Sequence, residues 1–111
     1  MDTVDSGQVA PYSRLEVIMR DYEFVMVISP DVPDVEAAVN HFQQFILDRG
    51  GEVQQVDRWG RRKLAYPIQR YLEGDYVVTK FRLEPGRIRD LEDSLRLSED
   101  VIRHLVVKLG E

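Results

Sequence analysis

RWGRRKLAYPIQR, residues 58–70, holds the two features that place the other elements of this chain: a proline inside a β-rich run, and five cations with no acid. Pro67 has no N–H to give to a ladder, so a strand that contains it belongs at a sheet edge or a bulge. Edges are also where Lys and Arg belong, because they block edge-to-edge association. Upstream, Val53 and Val56 fall on opposite parities and Gly60 interrupts the run. The whole of 52–68 therefore reads as one long, bent edge strand with a bulge near Gly60. In its second half Leu64, Tyr66 and Ile68 alternate with Lys63, Ala65 and Pro67, which predicts an apolar face there.

Working outward, 69–75 reads as a turn with Gly74 as its flexible point. In 76–84, Val77, Thr79, Phe81 and Leu83 oppose Tyr76, Val78, Lys80 and Arg82, which is strand patterning. Pro85-Gly86 ends it. Ile88, Leu91 and Leu95 share a helical stripe opposite Arg89, Asp90, Glu92, Asp93 and Arg96, predicting a helix over 87–96. A last apolar, β-branched strand covers 101–109. On the N-terminal side, Tyr22, Phe24, Met26 and Ile28 alternate along a first strand that begins near Arg20 and stops at Ser29-Pro30-Asp31. Val35, Val39, Phe42 and Ile46 then predict a helix over 33–49. Pro33 is placed in its first turn, Asp34 and Glu36 at the positive end of its dipole, and Gly50-Gly51 at its C-cap.

Strand, helix, strand, strand, helix, strand is the split βαβ unit written twice. Right-handed crossovers put both helices on one face of the sheet. The expected fold is α+β, a four-stranded antiparallel sheet in the order 4-1-3-2, with the basic strand at an edge. The second sheet face is left uncovered and open to a partner.

The bulk numbers agree with a soluble domain. The chain has 111 residues, 43% hydrophobic and 32% charged, enough for one domain with its own core. It has no Cys, which excludes disulfides, thiolate catalysis and Cys-based zinc sites. No apolar run approaches the ~20 residues of a membrane span. Residues 1–18 hold Asp2, Asp5 and Glu16 against Arg14 and lack a secretory pattern, so the expected location is the cytoplasm. Residues 1–14 mix Asp, Ser, Gly and Pro, and 1–18 is expected to be a disordered extension of a domain over 19–111.

Charge is unevenly placed. The chain has 15 Lys and Arg against 20 Asp and Glu, a net charge of −5. Without residues 58–70 it would have 10 against 20. A local patch of this kind attracts a polyanion that the whole molecule repels. Charge alone is equally consistent with edge protection. Clustering around a bulge, with aromatics interleaved, favours a ligand. Arg forks match phosphate oxygens, and exposed rings stack on unpaired bases. Trp59 reads equally as a stacking surface or a core anchor, and Tyr76 and Phe81 as packing residues. An enzyme is not indicated: His41 and His104 have no nucleophile tied to them, and Asp34 and Glu36 diverge on their helix. There is also no glycine-rich phosphate loop. No catalytic residue, metal, cofactor, membrane or small-molecule substrate is expected.

Three segments carry a family resemblance: Met19-Arg20-Asp21-Tyr22-Glu23, the run Trp59-Gly60-Arg61-Arg62-Lys63-Leu64-Ala65-Tyr66-Pro67-Ile68, and the close Arg103-His104-Leu105-Val106-Val107-Lys108. They resemble the bacterial small-subunit ribosomal protein S-six family, from Met19 to about Leu109. The resemblance implies a ferredoxin-like βαββαβ fold. It also implies a structural role in the small ribosomal subunit, binding the central domain of its ribosomal RNA jointly with ribosomal protein S-eighteen. Matched by position, Arg61, Arg62 and Lys63 are the family's basic edge-strand residues, and Arg20, Tyr22 and Arg103 lie at the ends of neighbouring strands. With Arg58, Trp59 and Tyr66 they form the expected RNA- or partner-binding set. Family members usually begin at the position of Met19 and often carry a polar C-terminal tail, so 1–18 reads as an extension or an upstream start. The alternative is a ferredoxin-like oligomerising or small-ligand module without RNA.

Overall fold

The computed structural model describes residues 18–110. Four strands, β1 (Arg20–Ile28), β2 (Glu52–Ile68), β3 (Tyr71–Leu83) and β4 (Val101–Lys108), form one sheet in the order β2-β3-β1-β4. All neighbouring pairs are antiparallel. This is the expected 4-1-3-2 order, with the basic strand at one edge. Helix α1 (Val35–Asp48) joins β1 to β2, and α2 (Ile88–Leu97), led by a 3₁₀ turn, joins β3 to β4.

Alternation sorts the sheet into two faces. Tyr22, Phe24, Met26 and Ile28 of β1 lie beside Phe81, Thr79, Val77 and Asp75 of β3. Their apolar members pack with Val39, Phe42 and Ile46 of α1 and Leu91 and Leu95 of α2 in a single buried cluster, so both helices cover this face. At its centre Phe24 meets Phe81 and Phe42 edge-to-face, at 5.6 and 6.4 Å between ring centroids. Each such side chain contributes about 1.5–3 kcal/mol by burial, and each ring pair about 0.5–1.5 kcal/mol more.

Several boundaries differ from the sequence expectation. Asp34, not Pro33, opens α1: its Oδ1 accepts from Ala37 N at 3.1 Å as an N-cap. Pro33 therefore lies before the helix. Helix α2 runs one residue later than expected and β4 stops one residue earlier.

The larger difference is the hairpin between β2 and β3. The reversal is not the broad turn 69–75 but the two residues Gln69 and Arg70, both left-handed, with φ of 49° and 67°. Positive φ at two consecutive positions matches the right-handed twist of a hairpin, and neither residue is the Gly or Asn that announces such a turn. Gly74 lies within β3 and is buried, because a Cβ there would come within 2.5 Å of Val27 Cγ1 and 3.1 Å of Ile28 O. Close approach of the Val27 side chain and the Ile28 carbonyl, not flexibility, requires glycine there. The expected apolar face of Leu64, Tyr66 and Ile68 is only half realised: Leu64 and Ile68 are half-buried and Tyr66 is exposed. Pairing of β1 with β3 ends at Asp75, so this part of the hairpin projects past the sheet, where no third strand of the described residues covers it. The extension expected over 1–18 lies, apart from Ile18, outside the described residues.

Candidate nucleic-acid and partner interface

A β-bulge decides which way the cations point. Arg58 pairs with Val77 and Gly60 with Tyr76, leaving Trp59 as the extra residue. Gly60 has φ of 84°, a conformation that costs other residues ~1–2 kcal/mol. One inserted residue moves every later side chain to the opposite face. Arg61 and Lys63 thus pair with Asp75 and Glu73 on the helix side, and Arg62 pairs with Gly74 on the open side.

On the helix side two cations are already engaged. The Arg58 guanidinium bonds the Glu36 carboxylate of α1. Arg61 Nη2 donates to Asp75 Oδ2 at 3.2 Å and to Pro30 O at 3.4 Å, and its Nη1 lies 3.7 Å from Glu73 Oε2. The Asp75 hydrogen bond, then the Asp75 charge, raise the Arg61 pKa above its already high ordinary value, so it stays a cation. Among the described residues, no acid lies within 4.0 Å of Arg62, Lys63 or Arg70.

The open side carries the aromatics. Trp59 is 49% exposed and stacks on Tyr76 with ring centroids 6.2 Å apart, so it is not a core anchor. The Arg62 guanidinium lies 5.3 Å from the Trp59 ring. Tyr66 is 57% exposed, and its hydroxyl accepts from Arg103 Nη1 at 2.6 Å. The projecting hairpin therefore reaches across to β4. Between them Val25, Val27, Tyr76, Arg103, His104 and Leu105 line a cleft of about 230 Å³. That is smaller than the ~300–1,000 Å³ of small-ligand pockets, and suits one inserted side chain. Leu105 is 59% exposed, and Val107 lies on the same face.

Two expected site residues fall away from this set. Tyr22 is 6% exposed and stacks on Phe81 at 5.5 Å, so it is a core residue, because even-numbered positions of β1 face the helices. Arg20 is exposed but begins β1, seven residues from Val27, which pairs with Arg103. At ~3.3 Å per residue that is roughly 23 Å along the strand from the level of Arg103. Val25, Tyr76, Leu105 and Val107 form one surface that the sequence pattern does not bring together. Their alternation was visible, but only strand order makes them neighbours.

A hollow of about 510 Å³ lies between the helices and is lined by His41, Phe45, Arg49, Asp90, Asp93 and Ser94, among others. Among the described residues no hydrogen bond ties His41 to a hydroxyl or carboxylate there, and Arg49 lies over the Phe45 ring at 3.5 Å. Nor, among those residues, do three His, Asp or Glu converge as metal ligands.

The profile of the family described as Ribosomal protein S6 matches residues 21–108. The small ribosomal subunit protein bS6 of Moorella thermoacetica is 44% identical over 95 residues, 84% of this chain and 97% of that one. The bS6 of Dehalococcoides mccartyi is 43% identical over 101 residues, 89% of this chain and 92% of its own. The crystal structure of 30S ribosomal protein S6 from Thermotoga maritima superposes with a TM-score of 0.78 at 34% identity, covering 82% of this chain and 88% of that one.

Proposed function

Because the chain belongs to the ribosomal protein S6 family of the small ribosomal subunit, we propose that it binds the central domain of small-subunit ribosomal RNA jointly with ribosomal protein S-eighteen. Membership of the family makes it a structural ribosomal protein of the cytoplasm and not an enzyme. The division of its surface supports the finer reading. Cations at the hairpin margin, Arg62 and Lys63 with Arg70 at the tip, meet phosphates. Trp59 and Tyr66 offer faces to unpaired bases, and the apolar open face around Leu105 seats the protein partner.

The observation that carries this is the small number of available cations. Each phosphate neutralised contributes about 0.7–0.9 to the log–log salt slope. Of the hairpin cations, Arg58 and Arg61 are engaged internally. The three others give a slope of only about 2–3, on a chain of net charge −5. Such a protein binds RNA weakly alone and needs a second surface beside it.

Filter binding over a salt series, with and without S-eighteen, tests this. Weak binding alone, with the shallow slope above, and tight binding with the partner are expected. Equal affinity in both arms would remove the co-binding idea. A stable homodimer without RNA affinity in sedimentation would favour an oligomerising module instead.

A further inference from the structure

Beyond Asp75 the hairpin is a two-stranded ribbon, and isolated two-stranded ribbons are marginal in water. Its pairing is also incomplete: after Lys63 with Glu73, the next registered pair is Ile68 with Tyr71. Something besides the ladder has to set its angle. On the helix side two tethers run from it to the loop after β1. Arg61 bridges Asp75 of the hairpin and Pro30 O of the loop. The Tyr71 hydroxyl donates to Asp31 Oδ2 at 3.1 Å.

That loop is itself a fixed point. Ser29 is buried and its N–H donates to Asp100 O at 2.8 Å, at the entry to β4. Its carbonyl accepts from Val32 N, and its Oγ accepts from Asp31 N, both at 3.1 Å. The tethers therefore connect the hairpin to the strand that carries Arg103.

We infer that Arg61 is a positioning residue and not an RNA contact: with Tyr71 it aims the hairpin, so that Arg62 and Lys63 present their charges at a fixed angle. The inference rests on the reading of the hairpin as the RNA-facing margin. Two arguments separate Arg61 from its neighbours. A phosphate brought to its guanidinium would also approach the carboxylates of Asp75 and Glu73, and like charges there oppose binding. In addition, its planar fork reaches Asp75 and Pro30 O together, a geometry that a lysine's point charge does not reproduce.

The test is RNA binding with S-eighteen present, over a salt series, for wild type and five variants. Arg62→Ala is expected to lower the slope by about 0.7–0.9, one phosphate. Arg61→Ala is expected to weaken binding about fivefold, the scale of one hydrogen bond, with the slope unchanged. Arg61→Lys restores little. Asp75→Asn gives the sharpest sign. If Arg61 positions, the variant weakens binding. If Arg61 contacts RNA and Asp75 only restrains it, the variant strengthens binding.

A slope reduced by Arg61→Ala as much as by Arg62→Ala, full rescue by Arg61→Lys, or tighter binding by Asp75→Asn would each overturn the inference. Tyr71→Phe, which removes only a hydroxyl, carries the same expectation of weaker binding at unchanged slope should an Arg61 variant fail to fold. Wild type without RNA affinity would sink the functional reading instead. Hydrogen exchange then judges the tether alone: faster exchange at 61–63 and 73–75 with an unchanged core supports it, and unchanged hairpin exchange refutes it.

Discussion

Gly74→Ala puts the close approach of the hairpin to the sheet under direct test. The new Cβ would lie 2.5 Å from Val27 Cγ1, 3.1 Å from Ile28 O and 3.6 Å from Ile102 Cδ1. Val27 is buried and β-branched, so its χ1 has little freedom to retreat, and Ile28 O is backbone in a paired strand. Overpacking of this kind costs about 1–3 kcal/mol. Against it stands the reduced freedom of the unfolded chain, which favours alanine by about 0.4–1 kcal/mol. Overpacking outweighs that gain, and a net loss of about 1–2 kcal/mol remains. For a domain of this size each kcal/mol shifts Tm by about 4–8 °C, so thermal unfolding followed by circular dichroism should show a drop of roughly 5–15 °C. Gly86→Ala is the control: none of the described residues lies within 4 Å of its added Cβ, so only the unfolded-state gain remains and Tm should hold or rise slightly. A Gly74→Ala protein as stable as wild type would refute the close-packing argument and return Gly74 to the role of a flexible turn residue.

Other perturbations separate core, cap and surface. Asp34→Ala removes the N-cap acceptor of α1 and should cost about 1 kcal/mol, read from the urea midpoint. Phe24→Ala opens a cavity between Phe42 and Phe81 and should cost about 3–5 kcal/mol, a large share of the about 5–15 kcal/mol that holds a domain folded; urea denaturation measures the loss. Leu105→Asp changes an exposed residue of the open face, so stability should stay within about 0.5 kcal/mol, while calorimetric titration with S-eighteen should show binding lost. Retained affinity would exclude that face as the partner's seat.

Pro67, the cations and the strand–helix order are enough to place β2 at an edge, since a missing N–H and a row of charges are properties of residue type. The apolar stripes of α1 and α2 and the alternation of β1 and β3 were legible for the same reason: periods of 3.6 and 2 are written directly into sequence. The hairpin turn was not. Gln69 and Arg70 carry left-handed backbones without the usual residues, and the twist of the two strands imposes what their own preferences do not. Tyr22 was misplaced because its motif position marks it as family-like, whereas its parity on β1 sends it to the core.

What the residues alone determined, then, is the order of elements, the covered face and the concentration of positive charge in 58–70. Only the tertiary structure decided which of those charges is available. One inserted residue at Trp59 turns Arg62 outward and Arg61 toward Asp75 and Pro30, because side chains alternate strictly and a single slip inverts them all. Arg61 and Arg62 are identical in type and adjacent in sequence. Their difference comes from what the fold brings beside each: two carboxylates and a carbonyl for one, an indole ring for the other.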